Sequence, residues 1–309
     1  MKNQHQSLSA RVPISSTNSR KASHMLRENL ILSDGRNFEF TRNGIDSDAA
    51  IILHAGTSQD ITGWKIWLDA FAKNGVLGIA IGRSGYVGST AKPGRRTIDI
   101  AKDVGELADH LGLKRMVNVG LSGGGQHAIA TGLDPRSVGV VTTGSLAPYE
   151  EMGEDFYLGM RQVDIDEYAD ALRNINDLVK RFQSWQNMDM GAAFVPKEVS
   201  ENDKKAQQSP SWNLLFDSCA VTMKAGWDWV ADDYSSYLKP WGFHPREVKV
   251  PVIIWQGGLD ENVPPVHGKW LAANIPNSTL KLIEDESHVG LYVNYEKETM
   301  QDAMNLLKA

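Results

Sequence analysis

The feature of this sequence that most constrains its fold is an alternation of short apolar runs with segments of helical periodicity. The apolar runs, which have the pattern of strands covered on both faces, lie at 49–54, 76–81, 115–120, 138–143, 251–255 and 279–283. The segments with helical spacing lie at 61–73, 97–111, 124–131, 266–275 and 295–308. Strands that alternate with helices predict an α/β protein with a mostly parallel sheet flanked by helices.

The N-terminal part of the chain has a different pattern. Two β-type runs at 26–32 and 37–41 are separated by the turn residues Ser33, Asp34 and Gly35, which predicts a hairpin. Residues 1–25 are rich in polar residues and have no periodic apolar face. We therefore interpret 1–25 as a disordered tail or as one added for expression.

The alternation stops between residues 149 and 248, where the segments 166–188 and 211–230 are helical without intervening strands. This predicts a helical cap, 149–248, inserted into a core made of 26–148 and 249–309. The cap contains five of the nine tryptophans, at positions 185, 212, 227, 229 and 241. Such a composition is typical of a lid over an apolar pocket, although the same rings could instead pack the insertion onto the core.

Composition and charge exclude several classes of protein. The net charge of −6 is spread along the chain without a long basic stripe, so we expect no nucleic-acid partner. Cys219 is the only cysteine, which rules out an intrachain disulfide and predicts a lone buried thiol. No run approaches 18 apolar residues and no signal peptide is visible, so we expect a cytoplasmic protein that does not insert into membranes. Its oligomeric state is not predicted.

The strongest local motif is Gly120-Leu121-Ser122-Gly123-Gly124, a G-x-S-x-G sequence that connects an apolar strand to a helix. In such a turn the serine hydroxyl is exposed, and side chains two positions away would collide, which explains Gly120 and Gly124. The helix N-terminus would face a developing negative charge on the substrate. A glycine-rich turn of this kind can also serve only packing or phosphate binding.

A serine is a good nucleophile only when a base accepts its proton, and a base needs an orienting carboxylate. Asp260 follows the strand at 251–255, and His288 follows the next strand. Because the carboxyl ends of parallel strands meet at one edge of a sheet, Ser122, Asp260 and His288 are predicted to converge. Glu261 is a rival for the carboxylate, but Asp260 occupies the G-x-x-D position.

With these motifs, residues 25–309 resemble the α/β-hydrolase fold superfamily, and the Ser-Gly-Gly-Gly elbow is similar to that of serine carboxylesterase-like members. The resemblance implies a carboxylic ester hydrolase with Ser122 as nucleophile, His288 as base and Asp260 as its partner, using no cofactor and no metal. The substrate is expected to be a small molecule with an apolar portion.

The segment His54-Ala55-Gly56-Thr57 resembles the loop that supplies one N–H group of the family's oxyanion hole. Thr57 and Gly123 are therefore the implied backbone donors. The sequence departs from the family at Ala55, which stands between the usual histidine and glycine, and at Val87, where many relatives have glycine.

Other functions remain open. Esters, lactones, thioesters, amides and carbon–carbon bonds are all cleaved by relatives with this triad, and acyl transfer to an acceptor other than water is also possible. A proline-iminopeptidase-like aminopeptidase could bind a substrate ammonium through Glu150, Glu151, Glu154 or Asp155. A non-catalytic ligand receptor on the same fold is a further alternative.

Four other histidines have predicted roles. His127 is predicted to be a packed helix residue, and His110 and His267 are predicted to lie on helix surfaces. His54 is predicted to shape the oxyanion loop by hydrogen bonding.

Overall fold

The computed structural model describes residues 25–185 and 200–309. Its sheet has eight strands, each at one of the predicted runs: β1 Glu28–Ile31, β2 Asn37–Asn43, β3 Ala49–His54, β4 Leu77–Ile81, β5 Arg115–Leu121, β6 Ser137–Thr143, β7 Val252–Gly257 and β8 Ser278–Ile283. They lie side by side in the order β1-β2-β4-β3-β5-β6-β7-β8. The predicted tail, apart from Met25, lies outside the described residues.

The neighbouring strands β4, β3, β5, β6, β7 and β8 pair in parallel. At one edge of the sheet, β2 pairs antiparallel with both β4 and β1. β1 and β2 form the predicted hairpin, with Glu28 opposite Phe40. The central strand β3 pairs with β4 and β5, and Ile51 and Ile52 on its two faces are fully buried. The apolar run at 49–54 is continuous because both faces of this strand are covered.

Helices α1 to α12 cover the sheet and form the insertion, with bounds α1 Lys65–Lys73, α2 Asp99–Leu111, α3 Gly125–Thr131, α4 Tyr149–Met152, α5 Gln162–Arg173, α6 Ile175–Trp185, α7 Glu201–Gln207, α8 Pro210–Ala225, α9 Asp228–Leu238, α10 Pro265–Asn274, α11 His288–Asn294 and α12 Glu296–Lys308. α1 and α12 pack on one face of the sheet, and α2, α3 and α10 pack on the other. The predicted α/β class is confirmed. Within the part of the chain that the structure describes, no helix is both long and apolar enough to cross a membrane.

A helical insertion separates β6 from β7, as predicted, and its described part contains α4 to α9. Residues 186–188 of the predicted helical segment 166–188 lie outside the described residues, and the rest of it is divided at Asn174. The segment 211–230 is divided at Gly226, whose φ of 146° ends α8. Sequence analysis missed the short helices α4, α7 and α11, which have four to seven residues each, and it also missed residues 231–238 of α9. The limits of a separate cap at 149–248 stay a prediction.

Some aromatic residues of the insertion pack it onto the core and others line a pocket, which are the two roles that the sequence left open. Trp229 is 1% exposed, and its ring lies 5.7 Å from that of Tyr86 in the loop after β4, so it packs the insertion onto the core. Tyr168, Phe182 and Tyr234 line a cavity between the insertion and the carboxyl edge of the sheet. The insertion is therefore anchored by some of its rings and contributes others to a binding cavity.

Candidate active site

Ser122 lies at a tight turn between β5 and α3, with a φ of 51°. A residue other than glycine in this left-handed region has a backbone strain of about 1–3 kcal/mol, and residues strained in this way are common at functional turns. A Cβ atom on Gly120 would lie 2.5 Å from the Gly124 carbonyl oxygen, and one on Gly124 would lie 2.2 Å from the His54 carbonyl oxygen. Only glycine fits at these two predicted elbow positions.

The loop after β3 lies against this turn because β3 and β5 are neighbours, with His54 opposite Gly120. A Cβ atom on Gly123 would lie 2.4 Å from Thr57 Oγ1 and 2.2 Å from the Tyr237 hydroxyl, so a side chain there would displace both hydroxyls. Neither the Thr57 N–H nor the Gly123 N–H donates a hydrogen bond within residues 25–185 and 200–309. Both groups can donate to a ligand oxygen.

Asp260 and His288 form a hydrogen-bonded pair at the same edge of the sheet, at 2.6 Å between Oδ2 and Nδ1. The Asp260 carboxylate is fully buried, and its Oδ1 accepts the N–H groups of Asn262 at 2.9 Å and Val263 at 2.8 Å. These bonds fix its orientation. Since a carboxylate oxygen accepts, the tautomer of the His288 ring that fits this bond carries its proton on Nδ1, and its Nε2 can then accept one. The rival Glu261 is exposed to solvent.

Gly144, which sequence analysis missed, makes room for this pair. It follows β6 directly and has a φ of +58°, and a Cβ atom on it would lie 2.9 Å from His288 Nδ1 and 3.2 Å from Asp260 Oδ2. The signal available in the sequence was a glycine directly after a buried strand, at the edge where the other candidate residues meet.

A cavity that opens to solvent is lined by Ser122, Thr57 and His288 among other residues. Most of its other side chains are apolar or aromatic, including Leu121, Leu146, Phe182, Leu215, Phe216 and Val263. Cys219, predicted to be a buried thiol, is buried and also lines the cavity. The cavity can therefore hold an apolar group beside the Ser122 hydroxyl.

One corner of the cavity is acidic, a feature that sequence analysis missed. Asp164 accepts two hydrogen bonds from Arg161 at 2.8 and 3.1 Å, and Glu167 accepts one from the Tyr234 hydroxyl. Burial, together with the charge of Asp164, raises the pKa of Glu167 to about 8. The four acidic residues that the aminopeptidase alternative would use for a substrate ammonium are exposed and do not line this cavity: Glu150, Glu151, Glu154 and Asp155.

Of the four other histidines, His127 and His110 are placed as predicted, whereas His267 and His54 are not. His127 is buried in α3 and His110 is exposed on α2. The prediction of a surface position for His267 is wrong, because the start of the insertion packs over α10. The ring of His267 accepts the Ala147 N–H at 3.1 Å and lies 2.9 Å from the Phe156 carbonyl oxygen. Burial lowers its pKa to about 4.

His54 is completely buried at the end of β3. Its Nε2 lies 3.5 Å from Asn118 Oδ1 on β5, and its Nδ1 has no hydrogen-bond partner among the described residues. Burial lowers its pKa to about 3, so the ring is neutral at physiological pH. The predicted hydrogen bond from His54 to the oxyanion loop is wrong, since the ring faces β5.

The sheet order, the strained serine turn after β5 and the insertion after β6 together define an α/β-hydrolase architecture. A model of the alpha/beta hydrolase fold family matches residues 49–295, and the chain belongs to this family.

Solved structures similar to this chain share its fold at low sequence identity. A hydrolase from Pseudomonas aeruginosa PA01 is 17% identical over 94% of this chain and 100% of its own, with a TM-score of 0.67. An enol-lactonase from Burkholderia xenovorans LB400 is 17% identical over 91% of this chain and 100% of its own, with a TM-score of 0.65. An esterase from Exiguobacterium antarcticum is 16% identical over 92% of this chain and 100% of its own, also with a TM-score of 0.65.

Proposed function

We propose that this protein is a serine hydrolase that cleaves a carboxylic ester, or an ester-like bond such as a lactone or thioester, through an acyl-enzyme on Ser122. The observation that carries the proposal is the 2.6 Å hydrogen bond between His288 Nδ1 and Asp260 Oδ2, beside a cavity that Ser122 and His288 line together. A nucleophile, a base and an orienting carboxylate are the three groups that this chemistry needs.

In the proposed reaction, His288 Nε2 takes the proton of the Ser122 hydroxyl while Oγ attacks the carbonyl carbon. The tetrahedral intermediate collapses when the bond to the leaving oxygen breaks, and His288 returns the proton to that oxygen. Water then attacks the acyl-enzyme with His288 again as base, which releases the acid and restores Ser122. Asp260 remains ionised throughout and stabilises the imidazolium.

The negative charge of each tetrahedral intermediate needs donors that are already oriented. The Thr57 and Gly123 N–H groups are proposed for this role because they flank the serine turn and donate to no other group within the described ranges. Each such donor contributes roughly 100- to 1,000-fold to the rate in serine hydrolysis.

The lining of the cavity supports a substrate with an apolar portion next to the reacting carbonyl. The similar structures described as an esterase and an enol-lactonase act, by their names, on bonds of the proposed type. These two structures support the proposal only through the fold that they share with this chain.

The test is turnover of a series of p-nitrophenyl esters, with labelling by a fluorophosphonate probe, in the wild type and in Ser122→Ala. We expect Ser122→Ala to lose labelling and to lose at least 1,000-fold in kcat. The control is Ser33→Ala, which changes an exposed serine of the β1–β2 turn and should match the wild type. Substantial turnover or labelling in Ser122→Ala would refute the proposed nucleophile.

A second candidate, an aminopeptidase, is favoured by the acidic corner of the cavity. Asp164 lines the cavity, where its carboxylate could bind a substrate ammonium, whereas Glu150, Glu151, Glu154 and Asp155 are exposed. Comparison of a p-nitrophenyl ester with an aminoacyl p-nitroanilide of similar size separates the two activities. A single labelling event with tightly retained product and no turnover would instead indicate a ligand receptor.

A further inference from the structure

A buried cluster of five charged and aromatic residues lies directly beneath the loop at 55–58, which contains Thr57. It comprises Arg83, Tyr86, Arg95, Asp233 and Tyr237, which we call the Asp233 cluster, and each of these residues is at most 3% exposed. Asp233 and Tyr237 belong to α9 of the insertion, whereas the other three belong to loops of the core. No step of the proposed reaction uses these residues directly.

Asp233 is the common acceptor of the cluster. Arg83 donates to both of its oxygens, at 3.2 and 2.7 Å, and Arg95 donates to Oδ1. The hydroxyls of Tyr86 and Tyr237 donate to Oδ2 at 2.5 and 2.8 Å. Burial alone would raise the pKa of Asp233, but the two arginines hold it well below its usual range, so the carboxylate is ionised.

One branch of the cluster reaches all four residues of the loop at 55–58. Arg83 donates to the carbonyl oxygens of Ala55 and Gly56, and the Ser58 N–H donates to the Tyr86 hydroxyl at 3.0 Å. Thr57 Oγ1 lies 2.8 Å from the Tyr237 hydroxyl.

The direction of the bond between Thr57 and Tyr237 follows from the ionisation of Asp233. Tyr237 gives its only hydroxyl proton to the carboxylate, so the Thr57 hydroxyl must donate to Tyr237. This bond fixes the side chain of Thr57, and the hydrogen bond from Arg83 to the Gly56 carbonyl oxygen holds the peptide unit that contains the Thr57 N–H.

The other branch reaches the serine turn. Arg95 Nη1 lies 2.8 Å from His127 Nε2, and His127 Nδ1 lies 2.8 Å from the Gly123 carbonyl oxygen. Because an arginine only donates and a carbonyl only accepts, the ring is neutral with its proton on Nδ1. Burial and the charges of Arg95 and Arg83 hold the pKa of His127 well below its usual value, which agrees with this assignment.

We propose that Asp233 is a positioning residue for the oxyanion hole: through Tyr237 and Thr57 on one side, and through Arg95, His127 and Gly123 on the other, it holds the two N–H donors in the orientation that the reaction requires. The carboxylate comes from the insertion, so the hole is complete only when α9 is seated on the core. The inference rests on the proposed function, because it assigns the Thr57 and Gly123 N–H groups to an oxyanion.

The test compares two Thr→Val variants that each remove a hydroxyl hydrogen bond to α9. Thr57→Val breaks the bond to Tyr237, whereas Thr97→Val breaks the bond from Thr97 Oγ1 to the Ser236 carbonyl oxygen, at 2.8 Å and far along the chain from the loop at 55–58. We expect Thr57→Val to lower kcat by about 10- to 100-fold with KM within about threefold of the wild type. Thr97→Val should lose similar thermal stability and keep its kcat.

Two further variants connect the effect to Asp233. Tyr237→Phe should lower kcat as Thr57→Val does, and the double variant should lose little more than either single one because both remove the same hydrogen bond. Asp233→Asn should lower kcat at least as far. Affinity for a trifluoromethyl ketone, whose Ser122 adduct places an oxyanion in the hole, should fall in parallel with kcat/KM. If Asp233→Asn does not fold, the Thr57 and Tyr237 variants still test the arrangement.

An active wild type in which Thr57→Val and Thr97→Val have equal kcat would overturn this inference and leave the proposed function intact. Full additivity of Thr57→Val and Tyr237→Phe would also overturn it. A wild type inert to both the esters and the fluorophosphonate would overturn the proposed function and this inference with it.

Discussion

The substitution Asp260→Asn tests the proposed reaction most directly, because the structure determines how the new amide must be oriented. Asp260 Oδ1 accepts two backbone N–H groups, from Asn262 and Val263, and Oδ2 faces His288 Nδ1. An asparagine that keeps its oxygen at the Oδ1 site must place its NH₂ group against Nδ1. His288 then carries its proton on Nε2 and cannot accept the proton of Ser122.

The active tautomer returns only if the amide flips, which leaves two buried N–H groups facing an NH₂ group. Each unsatisfied donor costs about 1–3 kcal/mol, so the flipped form lies about 2–6 kcal/mol above the inactive one. The imidazolium also loses its negative partner. We expect kcat to fall by about 10³- to 10⁴-fold, equivalent to about 4–5.5 kcal/mol, comparable with the effect of the same change in a serine protease triad.

The assay is steady-state turnover of the best p-nitrophenyl ester, together with the rate of fluorophosphonate labelling, in Asp260→Asn and in Glu261→Gln. The second variant makes the same chemical change at the exposed neighbouring carboxylate and should stay within twofold of the wild type. Thermal denaturation shows whether both variants are folded. A folded Asp260→Asn that keeps more than a tenth of the wild-type kcat would show that this carboxylate does not set the tautomer of His288.

Two further substitutions test the packing and the electrostatics of the site. Gly144→Ala should lower kcat by about 100-fold, since the new Cβ would lie 2.9 Å from the His288 ring. It should also destabilise the fold by roughly 1–2 kcal/mol, because alanine is strained at a φ of +58°. Steady-state kinetics measure the first effect and thermal denaturation the second. Glu167→Gln should flatten the pH dependence of stability in urea unfolding between pH 4.5 and 8. The folded protein keeps the Glu167 proton up to a pKa of about 8 whereas the unfolded chain releases it near 4.5, so stability falls with rising pH by up to about 1.4 kcal/mol per pH unit.

Each of these variants has a control in the chain. Gly153 has a φ of +57° and nothing within 4 Å of its Cβ position, so Gly153→Ala should share the strain of Gly144→Ala but keep full kcat. Equal kcat in these two variants would contradict the role of Gly144. Glu154 is exposed, so Glu154→Gln should leave the pH slope unchanged. A Glu167→Gln variant with the wild-type slope would show that Glu167 is already ionised in the folded protein.

The elements of the core could be predicted from the sequence because their signals are local. Runs such as 49–54 are continuously apolar since both faces of each strand are buried, and all eight predicted strands are present. The meeting of Asp260 with His288 also followed from topology, because parallel strands deliver the residues after their carboxyl ends to one edge. The strained turn at Ser122 was visible in the spacing of its glycines.

What only the tertiary structure decided is the set of contacts between the insertion and the core. Asp233 lies 150 residues from Arg83 along the chain, and Tyr237 lies 180 residues from Thr57. A buried ion pair or hydroxyl pair at such a separation has no period, spacing or turn residue that could indicate its partner. The acidic corner and the buried position of His267 also depend on how the helices of the insertion pack. The chemistry proposed for Ser122 could therefore be inferred from local patterns, whereas the groups proposed to orient its oxyanion hole come together only when folding brings the insertion onto the sheet.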